Sequence, residues 1–170
     1  MTLVDPCVVN EKNTHAMTLG VVHDMIGPHG YEEGAAFDID FKKSPKQLVD
    51  ITIWSSDGPD GKINAISFKY RDENNDLVQI GPYGSIEGTK HTISITQGEY
   101  LTVISGYLNP SITALNFNTS ADAKYGQFGR CRNTGDTHFS IDVDHDSIVS
   151  LFGHCDDKLR SIGAYSSPRA

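Results

Sequence analysis

The sequence predicts an all-β domain in which three repeated modules of about four strands each form a three-sided prism with a hydrophobic centre. Three observations predict this. From Met25 onward, short runs rich in Ile, Val, Phe, Thr and Tyr alternate with clusters of Gly, Pro, Asn, Asp and Ser, and no window sustains three turns of helical spacing. A glycine-bracketed segment recurs three times, each time followed by an alternating strand and a two-armed apolar hairpin. The length of 170 residues suits one compact domain with a normal core.

Residues 1–24 carry no sustained periodicity and few turn signals, so they read as an N-terminal extension, with the domain proper at 25–167. The repeated bracket reads as a turn and occurs as Gly27-Pro28-His29-Gly30, Gly81-Pro82-Tyr83-Gly84 and Gly126-Gln127-Phe128-Gly129. The strands after them carry Phe37, Ile39 and Phe41, then Ile93 and Ile95, then Phe139, Ile141 and Val143. Hairpins follow at Leu48–Tyr70 around the loop 55–62, at Tyr100–Asn118 around 105–111, and at Ile148–Tyr165 around 153–160. Their returning arms align as Ala65-Ile66-Ser67-Phe68, Ala114-Leu115-Asn116-Phe117 and Ser161-Ile162-Gly163-Ala164. A four-stranded sheet cannot bury its apolar face alone, so three of them pack inward around a shared axis. The loops are then the natural carriers of binding groups.

Composition excludes several function classes. The net charge is −8 and the basic residues are scattered, which leaves no cationic stripe for a nucleic acid. No run reaches the length of a membrane span, and the N-terminus lacks a signal-peptide pattern, so a cytoplasmic or nuclear protein without membrane insertion is expected. Cys7, Cys131 and Cys155 are expected as reduced thiols, since none stands in a CxxC pair. There is no nucleophile elbow, no HExxH and no phosphate-binding loop, and the expectation is a non-enzymatic protein with no catalytic residues and no cofactor.

The stretches IGPHGYEEGAAFDI at 26–39, WSSDGPDGKINAISFKY at 54–70, IGPYGSIEGT at 80–89, ISGYLNPSITALNFNT at 104–119, YGQFGRCRNTGDTHFSI at 125–141 and SLFGHCDDKLRSIGAY at 150–165 occur in order. Together they resemble the jacalin-related lectins, especially the mannose-binding members of monocot plants. The resemblance implies an all-β fold, the β-prism I of three four-stranded Greek-key sheets with pseudo-threefold symmetry, that binds mannose- or glucose-type oligosaccharides or glycoproteins without catalysis and serves plant stress or defence. The family's usual assemblies are dimers or tetramers, which makes a homodimer one expected state.

It also implies where sugar would sit. Sugar hydroxyls each donate and accept, so a lectin loop supplies carboxylate acceptors, backbone donors and glycines that allow close approach. The principal site would join the first glycine-rich loop, at Gly34, to the last hairpin loop, where Asp157 and Lys158 match backbone donors. Arg160 stands where the family has its sugar-clasping aspartate. A guanidinium has five donors and no acceptor, so the principal site reads as degenerate unless Asp156 or Asp157 substitutes or Arg160 selects an anionic sugar. A second site would combine Asp57, Gly58 and Asp60 of the first hairpin loop with Gly84 and Ser85. A third junction, between 106–109 and 126–129, shows no carboxylate at the matching place.

Other readings of these residues compete. Asp57 and Asp60 also fit an acidic hairpin turn. The run Asp57–Gly61 lacks the ligand count of a calcium loop, and Asp142, Asp144, His145 and Asp146 with His154 and Cys155 read as a solvated turn before a strand, so no metal site is expected. The alternative function is a lectin-shaped protein that has lost sugar binding and acts as an interaction or oligomerisation module. Arg160 favours this alternative, whereas Asp57 and Asp60 oppose it.

Overall fold

In the computed structural model, residues 23–130 and 135–169 are described. They form twelve strands: β1 (Asp24–Gly30), β2 (Ala35–Phe37), β3 (Pro45–Ser56), β4 (Lys62–Asp72), β5 (Leu77–Gly84), β6 (Thr89–Ser94), β7 (Leu101–Leu108), β8 (Ile112–Thr119), β9 (Lys124–Gly129), β10 (Thr137–Asp142), β11 (Asp146–Cys155) and β12 (Leu159–Pro168). Most of the N-terminal extension, Cys7 and Cys131 lie outside the described residues.

The strands pair as three antiparallel groups. One is β5-β4-β3-β6; the other two are β1-β12-β11-β2 and β9-β8-β7-β10, joined to each other where Ile148 faces Leu101. The sheets are out of phase with the sequence repeat. Each hairpin pairs with the glycine-containing strand and the short strand that come after it, so β3-β4 takes β5 and β6, and β7-β8 takes β9 and β10. The last hairpin, β11-β12, instead pairs with the first glycine-containing strand and the first short strand, β1 and β2. The fold is thus circular, with β1 hydrogen-bonded to β12.

The glycine brackets, expected as turns, are instead the ends of β1, β5 and β9. Gly27, Gly81 and Gly126 have φ of 90°, 85° and 123°. That conformation suits glycine, and it lets the strand bulge and then resume pairing. The register breaks there, between Ile26 and His29, between the partners Ile66 and Phe68, and between the partners Leu115 and Phe117.

The core is made by the inward faces of all three groups: Leu48, Ile51, Ile53, Ile66 and Phe68 from one, Ile104, Leu115 and Phe117 from the next, Leu151, Ile162 and Ala164 from the last. Phe37 and Ile39 join it, but Phe41 does not. β2 ends at Phe37, and the chain then turns, with Lys43 N–H donating to Asp40 O at 2.8 Å, which leaves Phe41 50% exposed. The buried tyrosine hydroxyls are satisfied. Tyr70 donates to Lys43 O at 2.8 Å and burial pushes its pKa up to about 12. Tyr165 donates to Asp38 Oδ1 at 2.8 Å, and burial raises that carboxyl in spite of the bond.

Three ring contacts seal the edges between groups. Tyr83 of β5 stacks on Phe37 of β2 with centroids 5.6 Å apart and His29 of β1 on Phe139 of β10 at 5.3 Å, while Phe128 of β9 packs tilted against His91 of β6 at 4.6 Å. The middle residue of each glycine bracket therefore covers the short strand of the neighbouring group. Across the ladder Phe37 faces Gly153 and Phe139 faces Gly106, whereas the smaller His91 faces Ile53. Where the ring is large, the opposing residue is glycine.

Candidate functional site

Each group places its hairpin loop against the segment following its glycine-containing strand, and one backbone hydrogen bond recurs at all three junctions. Tyr31 N–H donates to Arg160 O at 3.0 Å, Ser85 N–H to Asn64 O at 3.0 Å, and Arg130 N–H to Thr113 O at 2.9 Å. Arg160, Asn64 and Thr113 are therefore equivalent positions.

At the first junction Gly34 lies flat against the last hairpin loop; a Cβ there would stand 2.7 Å from Cys155 O. Only glycine allows this approach at its φ of 84°. The Arg160 side chain folds back on its own loop. Its Nε is 2.9 Å from both oxygens of Asp156 and its Nη2 is 2.8 Å from Oδ2. The guanidinium holds the Asp156 carboxyl well below the usual carboxylate range, and Asp156 in turn raises Arg160. Lys158 N–H also points at Asp156 Oδ1, at 3.2 Å. The acceptors of Asp156 are thus spent within the loop. Glu33 and Asp157 also bear electrostatically on Arg160, so three carboxylates surround one cation, an environment that repels an anionic sugar. Beneath them Cys155 is buried, its Sγ donates to Lys158 O at 3.2 Å, and burial pushes its pKa up to about 12.

At the second junction the structure brings the first hairpin loop together with the segment 84–88. Asn64 Nδ2 donates to Ser56 Oγ at 3.0 Å and to Glu87 O at 2.9 Å, which ties the two segments and leaves its Oδ1 without a donor among the described residues. Gly84 must be glycine here, since a Cβ at its φ of 105° would meet Asn64 O and the Cys155 sulfur. The backbone N–H of Ser85 is committed to Asn64 O. Asp57 divides its oxygens: Oδ1 accepts from Ser55 Oγ at 2.8 Å and from Gly129 N–H at 2.9 Å, while Oδ2 lies 3.9 Å from His91 Nε2. The Asp57 side chain is 48% exposed. Gly58 and Asp60 are exposed on the same loop, and the space around Gly58 is open.

The third junction does receive a carboxylate, from outside the matching place. Asp136 Oδ1 accepts from Asn109 Nδ2 at 2.9 Å and Oδ2 from Thr113 Oγ1 at 3.2 Å. Sequence reasoning missed both Asp136 and Asn64. Asn64 was within reach, because extending the aligned returning arms one residue toward the N-terminus pairs Asn64, Thr113 and Arg160.

Among the described residues no three His, Cys, Asp or Glu side chains converge as metal ligands. Asp146 and His154 occupy opposite ends of β11. No described helix is long and apolar enough to cross a membrane.

The comparisons with known proteins agree with this architecture. A family model for the jacalin-like lectin domain matches residues 26–165. A mannose/glucose-specific lectin of Parkia pendula is 34% identical over 90 residues, covering 48% of this chain, and the chain spans only 19% of that relative's length. Among solved structures, a mannose-binding jacalin-related lectin from Ananas comosus superimposes with a TM-score of 0.74 at 30% identity, covering 86% of this chain and 98% of that one. Malaysian banana lectin superimposes with a TM-score of 0.73 at 24% identity, covering 85% and 98%. The chain therefore belongs to the jacalin-like lectin domain family, whose members are carbohydrate-binding β-prism proteins and not enzymes.

Proposed function

We propose that this lectin domain reads mannose- or glucose-type hydroxyls at its second junction, and that its first junction is closed by its own side chains. The observation that carries this is the contrast at the equivalent positions 160 and 64. Arg160 consumes the Asp156 carboxylate, whereas Asn64 spends its amide hydrogens on Ser56 and Glu87 and keeps a carbonyl acceptor for a ligand. On the same hairpin the exposed Asp60 and the Oδ2 of Asp57 offer acceptors, and the open space around Gly58 leaves room for a ring at the backbone. The names of the Parkia pendula and Ananas comosus relatives, which carry mannose, support the sugar class. The partner would be a mannose-type oligosaccharide or a glycoprotein that displays it, and homodimerisation would raise the avidity of one weak site per chain.

The alternative, an interaction module without sugar binding, is favoured by the ion pair at the first junction and by the internal bonds of Asp57 Oδ1. Calorimetric titration with mannose oligosaccharides separates the two readings. Wild type is expected to bind. Asn64→Ala alone, and Asp57→Ala with Asp60→Ala, are expected to weaken binding by about tenfold or more, the scale of a lost charge-assisted or buried hydrogen bond. Absence of binding in wild type would select the interaction module.

A further inference from the structure

His91 is the odd member of the three edge contacts. Its equivalents Phe37 and Phe139 end in hydrocarbon rings, but its own ring ends in Nε2, which is buried, has no hydrogen-bond partner among the described residues, and lies 3.9 Å from Asp57 Oδ2. Packing alone does not ask for a nitrogen there, since Phe128 covers the His91 ring, tilted by 39° with centroids 4.6 Å apart, in the place where Tyr83 covers Phe37. We infer that His91 stands outside the sugar contacts of the second junction and makes binding there fall as pH falls, by competing for Asp57 Oδ2 once it is protonated. The inference rests on the proposed role of that junction.

The mechanism needs only a proton. Imidazoles change charge between about pH 5 and 8. With His91 neutral, Asp57 Oδ2 is an uncommitted acceptor, while Oδ1 anchors the loop through Ser55 and Gly129. Once protonated, Nε2 carries an N–H⁺ facing Oδ2, and closing a gap of 3.9 Å to hydrogen-bond distance takes a modest rotation of a half-exposed carboxylate. Oδ2 is then taken from the sugar, and the pull on Asp57 also acts on its bond to Gly129 N–H. The charged neighbours come from three elements. On its own strand Lys90 lies over the Trp54 ring, 5.8 Å from the centroid; on the hairpin loop Asp57 faces it; from the β9 side Arg130 packs its backbone against Gly61. Asp57 is the one carboxylate within ion-pair distance of His91 among the described residues.

The test has two arms. Titration with α-mannotriose at pH 7.5, 6.0 and 5.0 is expected to show wild-type affinity falling by about tenfold across the series, the cost of one charge-assisted acceptor. His91→Phe, which copies the residue of the other two edges, and His91→Gln, which keeps the polarity without the charge, are both expected to hold affinity within about twofold. The second arm uses no sugar. In amide NMR of the wild-type protein the Gly129 N–H resonance is expected to titrate together with the His91 ring, and to stop doing so in Asp57→Asn. A Gly129 resonance indifferent to His91 titration, or a pH profile unchanged in both His91 variants, would overturn the inference. Coupling seen in the NMR arm without mannotriose binding at any pH would instead count against the second junction as a sugar site, leaving the His91–Asp57 link in place.

Discussion

At the scale of single residues, the decisive substitution is Arg160. Its guanidinium makes a bidentate pair with Asp156 at 2.8–2.9 Å, with 19% of the Arg160 side chain and 36% of the Asp156 side chain accessible. A pair this exposed adds little to stability, so its effect is on chemistry: it removes the acceptors of the loop. If that is why the first junction is closed, Arg160→Asp combined with Asp156→Ser reopens it. The double variant restores a carboxylate at the end of the loop and removes the like charge that Asp156 would set beside it, with Glu33 and Asp157 left in place. Calorimetry is expected to show about two mannoside sites per chain where wild type shows one, with the gained site strengthened by roughly ten- to a hundredfold over the wild-type first junction. A stoichiometry that stays at one would place the defect elsewhere, in Gly34 or in the backbone donors.

At the scale of elements, the size match between facing strands decides where substitution is tolerated. Gly153 faces Phe37 and a Cβ there would stand 3.0 Å from the Phe37 ring as well as against Ser161 O. Gly153→Ala is therefore expected to cost about 1–3 kcal/mol, the range for overpacking. Gly58 is the contrast, because a Cβ added to it would meet nothing within 4 Å, and Gly58→Ala is expected within about 0.5 kcal/mol of wild type. Urea midpoints at unchanged slope would measure both. Equal midpoints for the two variants would mean that the β11–β2 contact relaxes freely.

These contacts also mark how far the sequence could be read. The repeats were legible because each rests on local chemistry: glycine at positive φ, alternation along a strand, two apolar arms around a polar loop. The phase of the sheets was not, since whether a hairpin pairs with the strands before or after it is a long-range choice that leaves no local trace. Phe41 misled for a similar reason. Its spacing continues the alternation of Phe37 and Ile39, but Asp40 turns the chain by accepting from the backbone of Lys42 and Lys43. Among site residues, the Arg160 departure was visible from its motif, whereas Asn64 emerged only when the recurring backbone bond fixed the threefold correspondence. Asp136 reaches its junction from three residues before Phe139, the place that glycine holds in the other two modules as Gly34 and Gly88, so it stands where the repeat gives no cue to a carboxylate.

At the scale of the whole molecule, the circular arrangement predicts cooperativity. No group of four strands has a private core: Phe37 of β2 touches Phe68 of β4, Phe128 of β9 touches His91 of β6, and one cluster of buried residues runs through all three. The group that contains the first and last described strands depends on β1 pairing with β12, so its formation requires the domain to have come full circle. Independent unfolding of one module would strip the inner faces of the other two, which is the energetic condition for an all-or-none transition. Trp54 lies on the β3 face beside Lys90 and reports on one group, whereas far-ultraviolet circular dichroism reports on all twelve described strands. The two signals are expected to give coincident urea transitions, and Phe117→Ala, which empties a site in a different group from Trp54, is expected to move both together by about 3–5 kcal/mol. A Trp54 transition left in place while the dichroism shifts would show that the three groups hold themselves up separately, and the circular closure would then be a feature of connectivity with no energetic weight.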